Sequence, residues 1–167
     1  KLTLNINKWI YSELIKTKNL AEKHIKEYRF DEASRVIYKF VWNSYCDWYL
    51  ELSKTIIFSN NRKNINEVKN TLSFVFKETI ILLHPFIPFI TEELWLKNKL
   101  GNQKEKYLMY ASWIKDNKVL KDKEISKVNE LIEVISKIRS FKNELNVSPG
   151  SFIDISIQNA NRDKKNL

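Results

Sequence analysis

The chain has 167 residues, a formal net charge of +9, two glycines, three prolines and one cysteine. That length supports one domain with a real core and a small appendage, and so few turn-formers argue against an all-β fold, so helices are expected. A single cysteine, Cys46, excludes an internal disulfide and makes a reducing, cytoplasmic compartment the expectation, while no apolar run reaches the length of a membrane span.

The positive charge forms no tail. It is +3 over residues 1–56, +2 over 57–100 and +4 over 101–167. A dispersed excess fits a folded surface that meets a polyanion, and fits equally a lysine-rich surface with no partner. Because the chain begins at Lys1 and enters a helical pattern almost at once, it reads as a piece of something longer.

From Asn5 to Glu27 the apolar positions Ile6, Ile10, Leu14, Ala21, Ile25 and Tyr28 recur at helical spacing, with Trp9 and Leu20 widening the stripe. The opposite face carries Lys16, Lys18, Lys23 and Lys26 and is expected to be solvated. After the connector Tyr28-Arg29-Phe30, Asp31 and Glu32 read as an N-cap and acidic first turn of a second helix reaching Thr55. One side of it presents Phe30, Ala33, Ile37, Phe40, Ser44, Trp48 and Leu52, yet Val36, Trp42, Tyr45, Tyr49 and Leu50 on the other side are also large. A helix aromatic nearly all round is either central to a bundle or lends one face to a partner.

The polar stretch Ser59 to Asn64 is a loop, and Ile65, Val68, Leu72, Val75, Thr79 and Leu83 continue the helical period into Leu82-Leu83-His84-Pro85-Phe86-Ile87-Pro88-Phe89-Ile90-Thr91-Glu92-Glu93-Leu94-Trp95. Pro85 should end the incoming helix near His84. Pro88 suits a first helical position, Thr91 is an alternative cap, and Glu92 and Glu93 place negative charge near the first turn. Phe86, Phe89, Ile90, Leu94 and Trp95 then form an apolar wedge, so the stretch is a corner that plugs a bundle. Leu100-Gly101-Asn102 ends this fourth helix, Tyr107 to Ala111 reads as extended, and Asp122 to Leu145 reads as a fifth helix. Ile153, Ile155 and Ile157 alternate as one strand after Asn146 to Gly150. The expected architecture is therefore all-α, about five helices with a short β appendage: a bundle over 1–120, a long helix and strand over 121–158 and a frayed tail over 159–167.

Catalytic chemistry is not signalled. Gly101 and Gly150 stand far apart, which excludes the common phosphate-cradling loops, and His24, His84 and Cys46 lack metal-ligand spacing. Asp47 and Glu51 could share a helix face as paired carboxylates, or be engaged in ion pairs. What remains is an aromatic and basic helical surface of the kind that stacks unpaired bases and holds phosphates, with core packing as the alternative for each aromatic.

Two stretches carry a resemblance. Phe40-Val41-Trp42-Asn43-Ser44-Tyr45-Cys46-Asp47-Trp48-Tyr49-Leu50-Glu51-Leu52-Ser53-Lys54 and Leu83 to Trp95 are similar to signatures of the valyl-tRNA synthetases, supported by Asn7-Lys8-Trp9-Ile10, Tyr28-Arg29-Phe30-Asp31-Glu32-Ala33, Ile138-Arg139-Ser140 and Asn146-Val147-Ser148-Pro149-Gly150. The Cys-Asp-Trp-Tyr-Leu-Glu run is the valine-specific part, whereas the proline corner is shared with isoleucyl and leucyl relatives. Tyr45 stands where phenylalanine is usual, and Ile114 follows Trp113 where proline is common. The resemblance implies a class Ia anticodon-binding bundle that grips the anticodon stem-loop of tRNA(Val), in a monomeric parent enzyme that joins valine to that tRNA with ATP and Mg²⁺.

The class I catalytic motifs and the editing domain are not in these residues, so the fragment itself is expected to hold no catalytic centre, cofactor or metal. By the same resemblance Tyr49 and Leu50 meet a base, Arg29 and Lys54 meet phosphates or base edges, and Trp42 and Trp48 support them. His84, Pro85, Pro88, Thr91, Glu92 and Trp95 are structural. The competing readings are a helical protein-interaction module, or the corresponding domain of an isoleucyl, leucyl or methionyl-type synthetase.

Overall fold

The computed structural model describes residues 2–102, 106–113, 115, 118–120, 123–148 and 150–154. Its helices are α1 (Asn5–Lys26), α2 (Phe30–Lys39), a π-helical segment (Phe40–Leu50), α3 (Glu51–Ile57), α4 (Arg62–Leu83), α5 (Pro88–Lys97), a 3₁₀ turn (Leu108–Tyr110) and α6 (Lys123–Glu144). The chain packs as two units, Lys1–Lys121 and Asp122–Leu167. Because α2, the π segment and α3 run on without a break, five helical rods result, and the all-α expectation holds.

No strand occurs among the described residues. Ile153 is described and has no strand pairing, whereas Ile155 and Ile157 lie outside the described residues, as does the tail at 159–167. The expected extended stretch Tyr107 to Ala111 is corrected: Leu108–Tyr110 is a 3₁₀ turn flanked by extended Tyr107 and Ala111. Leu108 is drawn into the core there, which a flat strand would not achieve with so short a piece.

The first unit buries Trp9, Ile10, Leu14 and Ile15 of α1 against Ala33 and Ile37 of α2 and Val68 and Val75 of α4. Leu20 and Tyr28, assigned to the α1 stripe from spacing, are 46% and 83% exposed. Lys18 goes the other way. It is 3% exposed, with its Nζ 2.8 Å from Glu22, so its aliphatic stem is packed while its charge is met. Hydrogen bonds from Lys18 and Lys26 hold the Glu22 carboxyl down at about 2 despite some burial.

A polar chain ties the three long rods. Glu67 of α4 accepts the backbone N–H of Thr3 and of Leu4, each at 2.9 Å, the Thr3 hydroxyl, and the Asn7 side-chain amide at 2.9 Å. It thereby places a carboxylate at the N-terminus of α1, where free amides and the helix dipole favour one. Asn7 is fully buried and its Oδ1 accepts the Tyr49 hydroxyl at 2.7 Å. Partial burial opposes the Glu67 charge, but these donors outweigh it and hold the carboxyl at about 2.

The proline corner forms as the residues dictate, with differences in detail. α4 ends at Leu83 with His84 as its cap, and Pro88 is the first residue of α5. Thr91 is not a cap but is buried inside the helix. Its hydroxyl lies 2.9 Å from the Ile87 carbonyl, 3.0 Å from that of Pro88 and 2.9 Å from His84 Nδ1. Glu92 does not serve the first turn either; its carboxylate accepts the Leu108 N–H at 3.1 Å and so pins the chain that follows α5.

The wedge divides. Trp95 is 1% exposed in a cluster with Ile80, Ile81 and Leu108, and Lys77 Nζ sits 5.2 Å from its ring centroid, within cation–π range. Phe89, by contrast, is 91% exposed and Ile90 55%.

With only two glycines available, the left-handed residues at three helix ends are Tyr28, Lys99 and Asn146. Each is followed by a backbone bond back into its helix: Arg29 N–H to His24 at 2.8 Å, Leu100 N–H to Trp95 at 3.1 Å, and Val147 N–H to Lys142 at 2.9 Å. Gly101 is therefore not the residue that terminates α5; Lys99 is.

Trp95→Ala is expected to cost roughly 3–5 kcal/mol of stability, read as a lowered midpoint in chemical denaturation. Glu67 gives a pH signature. Its folded pKa lies below the ordinary 4.5, so its contribution is present above that value and is lost as pH falls from there towards about 2. Glu67→Gln should flatten the acid limb of the stability–pH curve over that window.

Candidate nucleic-acid interface

The winding of the second rod decides which side chains face out. Phe40 and Tyr49 are both buried, although nine residues amount to two and a half α-helical turns and would set them on opposite faces. In a π-helix each turn takes more than four residues because hydrogen bonds run from i to i+5. Nine residues then make about two turns. The buried line consequently runs Ala33, Ile37, Phe40, Tyr49 and Ser53, not through Ser44, Trp48 and Leu52, which are half-buried.

Tyr49 is thus corrected as a base contact: it is 0% exposed, bonded to Asn7 and stacked on Tyr45 with centroids 6.2 Å apart. Burial pushes its phenol well above the usual range. Tyr45 rises to about 12 for the same reason, and its hydroxyl points at the Leu72 carbonyl, 3.4 Å away. Both rings are framework.

Leu50 is half-buried and Lys54 and Trp42 are exposed. Lys54 Nζ sits 2.6 Å from Glu51 Oε1 with both side chains more than half exposed, a pairing that contributes little in water and can exchange for a phosphate. Glu51 is thereby in an ion pair within its own helix and is no half of a carboxylate dyad. Arg29, just ahead of α2, is about half exposed, with Glu27 at 3.9 Å and Glu32 at 3.7 Å. Arg29 and Lys54 are 25 positions apart in sequence, on the order of 35 Å along a helix, so the candidates form a ridge and not one pocket. Trp48 is half-buried behind it.

Sequence reasoning passed over two residues of this ridge. Tyr38 is 65% exposed and stacks on Trp42, centroids 6.3 Å apart and planes within 3°. Arg35, 71% exposed, is one turn before Tyr38 and 3.8 Å from Glu32. The signal was present as the i, i+4 spacing of Tyr38 and Trp42. Cys46, further along, is exposed; partial burial and the Asp47 charge push its thiol up. Among the described residues no group of three or more His, Cys, Asp or Glu is placed to hold a metal ion, and no helix is long and apolar enough to cross a membrane.

An exposed aromatic–basic ridge on a helical bundle is suited to RNA, and comparison with known proteins bears on it directly. The family model described as the anticodon-binding domain of tRNA ligase matches residues 7–157. The chain belongs to that family. Similar relatives include a valine–tRNA ligase of Pelagibacter ubique, 55% identical over 166 residues that make up 99% of this chain and 19% of the relative. Those of Agrobacterium fabrum and Rhizobium meliloti are 36% and 38% identical, each over 95% of this chain and 17% of theirs. This anticodon-binding domain therefore spans under a fifth of the length of the relatives it matches.

Within the domain, Tyr49→Phe removes the donor to a buried Asn7 oxygen and should lower stability by about 1–3 kcal/mol. RNA affinity should stay unchanged once the protein is folded. Equilibrium unfolding and a binding titration on the same sample check both halves.

Proposed function

We propose that this domain grips the anticodon stem-loop of tRNA(Val) as part of a valine–tRNA ligase. The observation that carries the reading is 55% identity to such a ligase across 99% of this chain. The valine-type run Cys46-Asp47-Trp48-Tyr49-Leu50-Glu51 falls on the π-helical segment and its exit into α3. The parent enzyme attaches valine to its tRNA using ATP and Mg²⁺, in the cytoplasm and as a monomer, with catalysis and editing in other domains of the same chain. Ile87, Phe89 and Ile90, exposed at the proline corner, are one apolar surface available to those domains.

On this reading Leu50 supplies an apolar contact to a base. Lys54 exchanges Glu51 for a phosphate or base edge, Arg29 does the same at the far end of the ridge, and Trp42 offers a ring face. Tyr49 contributes only by holding the helix. The net charge of +9 adds a sequence-independent attraction whose strength falls with salt because bound cations are released from the RNA.

Titration of the chain with tRNA(Val) should give affinity that declines linearly on a log–log plot against salt. Lys54→Ala should lower that slope by about 0.7 to 1 and weaken binding at every sequence. Leu50→Ala should weaken binding with the slope unchanged. An absence of binding to any tRNA at low salt refutes the reading for this chain.

A further inference from the structure

The stacked pair Tyr38–Trp42 lies outside the buried core of the bundle. Both rings stand more than half exposed on the outer side of the second rod, their planes within 3° of parallel and their centroids 6.3 Å apart, so they form an offset stack largely open to solvent. Arg35 and Lys39 flank Tyr38 at three residues before and one after, and both are exposed. Arg35 is 3.8 Å from the half-buried Glu32 carboxylate and is itself 71% exposed, so the guanidinium can exchange this long contact for a phosphate. Asp47 follows Trp42 by five residues, one π turn on. Its charge would repel phosphate, so the cationic side of the platform is the Arg35–Lys39 side.

We propose that Tyr38 and Trp42 form a stacking platform for one unpaired nucleobase, with Arg35 and Lys39 holding the phosphates beside it. This rests on the anticodon-loop reading and extends it. Trp42 and Lys54 are 12 positions apart, on the order of 15 Å along the helix, which is more than one nucleotide spans while stacked at one end and read at the other. The platform therefore takes a different base from the one read at Lys54, and the loop is gripped at two points. Stacking on a ring face is tolerant of base identity, so this point supplies affinity and register while discrimination stays near Leu50 and Lys54. A ring pair flanked by cations fits a base with its phosphates better than it fits an apolar protein surface, which offers Arg35 and Lys39 nothing to bind.

The test uses this chain and an RNA hairpin carrying the valine anticodon loop, with fluorescent 2-aminopurine placed at each loop position in turn. One position should be quenched on binding. Trp42→Ala and Tyr38→Ala, with circular dichroism unchanged, should each weaken binding about tenfold and relieve that quenching at saturating protein, whereas Trp42→Phe should retain it. Lys54→Ala should weaken binding yet leave the same position quenched when saturated. If wild type binds the hairpin and Trp42→Ala matches it in affinity and in quenching at every position, the platform is overturned and the ridge there belongs to a protein neighbour, while the anticodon-loop reading stands. If wild type binds no hairpin, both fall together.

Discussion

The arrangement of the bundle depends on the buried chain Tyr49–Asn7–Glu67. It joins the second rod to α1 and α1 to α4 by side-chain hydrogen bonds of 2.7 and 2.9 Å, and adds a carboxylate where α1 begins. Buried polar groups are tolerated only when satisfied, so this chain admits one register: a slide of any rod by a turn would strand the Asn7 amide. Apolar packing alone would not be so selective, since neighbouring Ile, Leu and Val side chains can exchange places at small cost.

That network exists only because the second rod is wound wide between Phe40 and Leu50. In an α-helix Tyr49 would face away from Phe40, and its hydroxyl could not meet Asn7. Wide winding has a second consequence on the outside. With Tyr45 and Tyr49 committed inward, the outward positions fall to Tyr38 and Trp42 at one end and to Leu50 and Lys54 at the other. π-helical segments are rare and concentrate at functional sites, and here the same distortion positions a core hydroxyl and sets the spacing of an exposed ridge.

Much of this was legible in the sequence where the period is the ordinary one. The limits of α1 and α6, the stop at His84 and the start at Pro88 follow from 3.6-residue spacing and proline chemistry, whereas α4 begins at Arg62, capped by Asn61, inside the stretch Ser59 to Asn64 that reads as a loop. The reading failed where a different physics took over. Counting at 3.6 residues per turn across Phe40 to Leu50 put Trp48 and Leu52 on the core side and left Tyr49 free for a base. Nothing in the spacing marks Asn7 and Glu67 as partners, because their contact spans 60 residues. Gly101 was read as the terminator of α5 by residue type, but the left-handed position fell one turn after Trp95, at Lys99, where the geometry required it. At the ridge, Trp42 and Lys54 are exposed and Leu50 is half-buried, and Tyr38 stands two residues ahead of the motif that carries the resemblance.

The ridge itself separates affinity from discrimination. Dispersed charge and ring stacking both act on any RNA, since every nucleotide has a phosphate and a flat face. Only polar groups can tell base edges apart, and towards the Leu50 end of the second rod Asn43, Asp47, Glu51 and Lys54 are among the exposed ones. Lys54 is one, and in the free protein it is held by Glu51 at 2.6 Å. On the anticodon-loop reading proposed above, a cognate loop exchanges the Glu51 carboxylate for an acceptor of its own at Lys54, and because the pair is exposed and weak that exchange costs little.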